Sequence, residues 1–239
     1  MGLADLHLHT THSDGLVSPE KLIERLHEEG KFNIIAVTDH DLIGGAFKAR
    51  EYAKKRGLKM EVLIGTEIST RHGHIVALGV EKLIPKFKSA EETVQMIHAQ
   101  GGLAIAAHPL NFLTASLRKK KIEEIFHSKQ DGVYFDAMET ASVYPFFNLV
   151  EKKVLDLSKQ LDIATLGASD GHFEWEQGKA YTEFEGENIQ DLLHAIKNKK
   201  TRAIKEDVPL TKYLNLQVPF QMIRSWTWKN PFSPFNPKI

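Results

Sequence analysis

The segment Asp5-Leu6-His7-Leu8-His9-Thr10-Thr11-His12-Ser13-Asp14-Gly15 holds three imidazoles and two carboxylates. On a strand, successive side chains alternate faces, so His7 and His9 project together while Leu6 and Leu8 oppose them. Two imidazoles placed this way can chelate one cation. The same residue types return along the chain: Asp39 and His40 in AVTDH, Glu67 in LIGTEIS, His72 and His74 in RHGHIVALG, His108 in AIAAHP, and Asp170 with His172 in LGASDGH. Imidazoles and carboxylates without thiolates suit zinc, manganese or iron.

Each candidate competes with a plainer role. His27, His98, His127 and His194 fall inside helical patterns with no carboxylate at a strand end beside them, and read as surface or packing residues. His12 lies in the loop after the first pair, where it can line a pocket; Asp14 has the better claim as a ligand. His74 is preferred to His72 because it begins the apolar run HIVALG, which leaves Arg71 and His72 as contacts for an anionic substrate. Adjacent strand residues point to opposite faces, so Asp39 reads as support for His40 rather than as a ligand.

Apolar runs of strand length occupy 3–9, 33–38, 60–68, 74–79, 103–107, 132–138 and 163–168. Helical patterns separate most of them, at 18–30, 45–56, 90–99, 122–128, 147–161 and 189–197. The first helix is the best signalled, with Ser18 as cap, Pro19 at its first position, an apolar stripe of Leu22, Ile23 and Leu26, and Gly30 at its end. Alternating β and α elements imply an α/β fold with a parallel sheet or barrel. In such a barrel the strand ends share one mouth, so ligands scattered along the chain can converge.

The chain has 239 residues, of which 42% are hydrophobic, enough for one folded core. Lys plus Arg and Asp plus Glu are both 31, so general attraction to nucleic acid or an anionic membrane is not expected. With no cysteine, thiol nucleophiles and disulfide frameworks are excluded. Neither a secretory leader nor an 18-residue apolar segment is legible, and a cytoplasmic location is expected. Balanced charge is compatible with monomer or dimer. After Asp207 come five of the nine prolines and two of the three tryptophans. Regular structure is expected to fade there, giving a 1–206 domain and a 207–239 tail packed on it through its aromatics. A subunit contact or a wall of the active site is the sharper reading of that tail.

In order, DLHLHTTHSDG, AVTDHD, GTEIS, HIVALG, AHP and SDGH resemble the successive motifs of the PHP (polymerase and histidinol phosphatase) superfamily, over residues 5 to 172. The resemblance implies a distorted (β/α)7 TIM-like barrel with three divalent ions on its C-terminal face. It further implies that His7, His9, Glu67 and Asp170 hold one ion, that Glu67 bridges to a second held by His74 and His108, and that Asp14, His40 and His172 hold the third. Asp14, where other branches carry His, is similar to the branch of nucleotide phosphatases and a 5'-to-3' exoribonuclease. Members of that branch commonly carry an inserted domain between the motifs matching His74 and His108; here 33 residues separate them.

The expected activity is hydrolysis of phosphate esters, on a nucleotide or another small phosphorylated metabolite, by a metal-bridging hydroxide. His12, with Asp39 in support, is the candidate general acid. Arg71, His72, Asn111, Glu139 and Lys179 are the candidate substrate contacts. The alternatives are a phosphodiesterase or 5'-to-3' exonuclease on short nucleic acid, a histidinol phosphate phosphatase, which Asp14 disfavours, and a non-catalytic metal-binding PHP module.

Overall fold

The computed structural model describes residues 1–143 and 147–229. Nine strands form one sheet: β1 (Gly2–Leu8), β2 (Ile34–Val37), β3 (Glu61–Thr70), β4 (Gly73–Leu78), β5 (Leu103–Ala106), β6 (Ala137–Ala141), β7 (Ala164–Gly167), β8 (Ala180–Phe184) and β9 (Thr201–Lys205). Their order is β7-β6-β5-β4-β3-β2-β1-β8-β9. Thr182 on β8 accepts from the Gly167 amide and donates to its carbonyl, and Thr201 on β9 donates to the Thr165 carbonyl. These bonds bring β7 against β8 and β9 and nearly close the sheet into a barrel, the distorted TIM-like architecture expected.

The distortion lies in strand direction. β1, β2 and β3 run parallel, as do β5, β6 and β7, but β4 is antiparallel to both neighbours, and β8 and β9 are antiparallel additions. Strands β8 and β9 were not among the expected runs, although AYTEF shows the alternation of a half-buried strand. The run at 132–138 is strand only from Ala137, because the Asp136 carboxylate takes the Ala104 amide and turns the preceding chain.

Helices α1 (Pro19–Glu29), α2 (Gly44–Lys55), α3 (Ala90–His98), α4 (Lys119–Phe126), α5 (Asn148–Gln160) and α6 (Ile189–Lys197) follow the expected positions within a few residues. In α1, Ser18 accepts from the Lys21 amide and Gly30 closes the helix in the left-handed conformation. Its Leu22, Ile23 and Leu26 are buried, each worth about 2 kcal/mol of transfer free energy. One apolar cluster, including Ala4, Leu6, Ile34, Ile105, Ala137 and Leu166, draws on every strand from β1 to β8 and so fills the barrel. Two more lie between sheet and helices.

Among the described residues beyond β9, regular structure continues to Lys229. A 3-10 turn spans Leu210–Leu214 and α7 spans Gln217–Lys229. The prolines permit this, since Pro209 caps the 3-10 turn and Pro219 falls in the first turn of α7, where a missing N–H costs nothing. Pro231, Pro234 and Pro237 lie outside the described residues, as does the side chain of Trp228. Phe220 and Trp226 do not anchor this segment, being 58% and 68% exposed.

Candidate metal centre and active site

The strand ends converge as the barrel requires. His7 is the penultimate residue of β1 and His9 follows that strand; His40 follows β2; Glu67 lies in β3; His108 follows β5; Asp170 and His172 follow β7. His74 arrives by another route. It is the second residue of β4, and because that strand runs backwards, its start is at the mouth, opposite Ser69 of β3.

Three buried groups have donor atoms lying within 4.8 Å of one another: His9, Asp14, His40 and His172; His7, His9, Glu67 and Asp170; and His40, Glu67 and His74. His108 adjoins them, its Nε2 lying 2.9 Å from Glu67 Oε1. Of the two competing histidines, His74 is brought to the cluster, with Nδ1 2.7 Å from Glu67 Oε1. His72 instead accepts the Ala90 amide at the start of α3.

The donor set fits a cation. His7 Nε2 and His9 Nε2 are 3.1 Å apart, and each lies 3.3 Å from Glu67 Oε2. Asp170 Oδ1 is 3.4 Å from the first nitrogen and 3.1 Å from the second. Ligands about 2.0–2.1 Å from a tetrahedral ion stand about 3.3 Å from one another, so these spacings are those of one coordination shell. Asp14 Oδ2, Glu67 Oε2 and Asp170 Oδ1 are buried and receive no hydrogen bond, a costly state that a positive ion relieves.

The charges are mutually stabilised. Burial pushes the carboxyls of Asp14, Glu67 and Asp170 up, but the imidazoles around them hold all three below the usual carboxylate range. Burial pulls His9 down, yet the carboxylates of Asp170, Glu67 and Asp14 around it raise it to about 9. His7, His108 and His172 are also raised against burial, by Glu139, Glu67 and Asp14 respectively. Without a cation the cluster balances itself with protons, which a divalent ion displaces on binding.

A ring of residues around the ligands aims them. Glu139 Oε1 lies 2.8 Å from His7 Nδ1, and its other oxygen accepts the His108 amide. Asp39 accepts from the Thr10 amide and from the hydroxyls of Thr10 and Ser13, which fixes the loop carrying Asp14. A Cβ on Gly45 would come within 2.0 Å of Asp39 Oδ2, so only glycine leaves that carboxylate its place. Asp5, which burial raises to about 6, accepts the Ser169 and Gly178 amides and so holds the turn bearing Asp170. His108 and Asp170 themselves have positive φ, 26° and 53°, backbone strain held at the site.

A cavity of about 400 Å³ opens on the ligands, lined by His40, His74 and His172 among others. None of the five expected substrate contacts lines it. Glu139 lies beneath the ligands, buried by its bonds to them. Arg71 is turned outward, its Nε donating to the Phe87 carbonyl. Asn111 is buried and braces its own loop through the Leu113 amide. Lys179 pairs with Glu206, because the turn at Gly178 starts β8 in the antiparallel direction. The His12 ring packs beside Gly44 at the start of α2. Asp5 and the cavity-lining Glu176 went unread in the sequence, and Glu139 was read there as a substrate contact rather than as a support for His7. For Asp5 the available signal was its i, i+2 spacing from His7.

Fold and site together form a barrel whose mouth gathers His, Asp and Glu side chains able to hold metal ions. Residues 5–202 match the model of the PHP domain, and the chain belongs to that family. It is similar to a 5'-3' exoribonuclease of Haemophilus influenzae, 37% identical over 105 residues, 42% of this chain and 37% of that protein. A 3',5'-nucleoside bisphosphate phosphatase of Chromobacterium violaceum is 33% identical over 99 residues, 40% of this chain and 34% of that one. These matches thus span little more than a third of either enzyme. Among solved structures, a two-domain protein of Bacteroides vulgatus containing a predicted PHP-like metal-dependent phosphoesterase superposes with a TM-score of 0.69 at 20% identity, covering 85% of this chain and 64% of that one. No helix among the described residues is long and apolar enough to cross a membrane.

Proposed function

We propose that the protein hydrolyses the phosphate ester of a small phosphorylated molecule, using three divalent ions held by His7, His9, Asp14, His40, Glu67, His74, His108, Asp170 and His172. The observation carrying this reading is the sharing of donors: His9, His40 and Glu67 each belong to two of the three buried groups. Ions held this way would stand side by side, an arrangement suited to phosphoester cleavage. When bound they acidify water and neutralise the phosphoryl oxygens and the leaving oxygen. The chain's own part is to fix these donors. Glu139 orients His7, Ser116 meets His108 Nδ1 at 2.9 Å, and Asp39 holds the Asp14 loop. No protein nucleophile is needed.

Phosphate release from a panel of monoesters, with manganese or zinc added, tests the reading. Glu67→Gln removes the carboxylate common to two groups, and its loss of kcat/KM should exceed the ten- to hundredfold typical of residues that only support ligands. Metal-loaded wild type that releases phosphate from none of the esters would sink the proposal.

The exoribonuclease relative favours a second reading, cleavage of short nucleic acid from its 5' end. Shortening of a 5'-phosphorylated RNA separates the two, since a monoesterase leaves the chain length unchanged. Against it stands the cavity, which no Lys or Arg lines among the described residues.

A further inference from the structure

The segment after β9 lies beyond the family match, yet it supplies much of the cavity wall opposite the metal ligands: Leu210, Tyr213, Val218, Gln221, Met222 and Ser225. The last four are spaced i, i+3, i+4, i+7, one face of α7. Two ties hold this face over the site. Arg224 donates from Nε to the Ser13 carbonyl and from Nη2 to the Thr11 carbonyl, on both sides of His12 in the Asp14 loop. Tyr213 donates to the Val143 carbonyl. Between β4 and β5 the chain has only α3 and its connections, so the cover that this short span cannot supply comes from the C-terminal segment instead.

The chemistry of the wall restricts what it can hold. With Leu113 and Phe173 across the cavity, Leu210, Val218 and Met222 make an apolar surround, while Glu176 adds a carboxylate. No Lys or Arg lines the cavity among the described residues. One phosphate finds its countercharge at the metal ligands, but a second would find none. A volume of about 400 Å³ is at the small end of ligand pockets.

We propose that Leu210–Ser225 is the specificity wall of this enzyme, and that it selects phosphate monoesters whose alcohol part is compact, uncharged and apolar, an arylmethyl alcohol for example, over nucleoside bisphosphates and nucleic acid. The selection rests on the phosphoesterase reading above, and phosphonates separate the two because they bind without being cleaved.

The test is calorimetric titration of the manganese-loaded full chain with benzylphosphonate, methylphosphonate and a nucleoside 3',5'-bisphosphate. Benzylphosphonate should bind at least tenfold tighter than methylphosphonate, about 1.4 kcal/mol, and tighter than the bisphosphate. Met222→Glu, at a position 64% exposed, puts a charge on the wall without burying it and should cut that ratio at least fivefold. Val218→Asp is the second variant, and matched melting curves show that both are folded. Equal affinity for the two phosphonates, tightest binding of the bisphosphate, absence of phosphonate binding, or a ratio untouched by both variants each overturns the proposal. A benzylphosphonate preference without turnover of any ester leaves the wall standing and removes the hydrolase reading. Turnover of esters without the preference does the reverse.

Discussion

Glu139 illustrates what burial does to a carboxylate at the scale of one residue. With both oxygens committed, one to His7 Nδ1 and one to the His108 amide, it cannot meet a substrate but can fix the tautomer and angle of a ligand. Glu139→Gln should weaken metal affinity about ten- to hundredfold, measured by competition with a fluorescent chelator, while KM at saturating metal stays within about twofold of wild type. A raised KM with unchanged metal affinity would return Glu139 to the role of substrate contact. The sequence offered its residue type and its strand, but not which neighbours would claim its oxygens. For His7 and His9 the alternation of one strand was enough to put both rings on one face.

Among elements, α3 shows a histidine used for structure. His98 lies in its last turn, with Nδ1 2.8 Å from the Gly132 carbonyl and Nε2 2.9 Å from the Asp136 carboxylate. Burial pulls its pKa down, but the Asp136 and Gly132 bonds outweigh this and hold it above the ordinary histidine value. A raised folded pKa means stability fully present below the unfolded pKa of about 6.5 and lost as pH rises through the folded value. His98→Phe should therefore destabilise the protein by about 1 kcal/mol more at pH 6 than at pH 9, read from urea titrations at both. An equal penalty at the two pH values would show that His98 contributes packing alone. Helical periodicity placed α3 within a residue, and in the structure Ser89 and Glu92 form the capping box that starts it. The same reasoning misjudged α7, where proline count outweighed proline position.

For the whole molecule, the barrel gathers buried charges at its mouth. Asp14, Glu67 and Asp170 lie side by side with six imidazoles, and proton exchange alone must hold that assembly together when no cation is bound. Cation binding should accordingly stabilise the fold. At a hundredfold excess over Kd the gain is about 2.7 kcal/mol, which for a chain of this size raises Tm by roughly 5–10 °C. Scanning calorimetry of metal-loaded and chelator-treated protein measures it. Identical melting temperatures would argue that the donor groups do not bind metal in the native state.

Residue types, their order and the two periodicities of strand and helix are local properties. By themselves they determined the α/β class and the positions of six helices, and they singled out the candidate donors from His7 to His172. Strand direction, register and closure depend on contacts between distant segments. Only the tertiary structure decided that β4 runs backwards to deliver His74, that Lys179 leaves for Glu206 while Glu139 sinks beneath the ligands, and that the C-terminal segment folds back over the mouth. A side chain's type fixes which bonds it can make. Which of them it does make is set by the neighbours that the closed barrel brings to it.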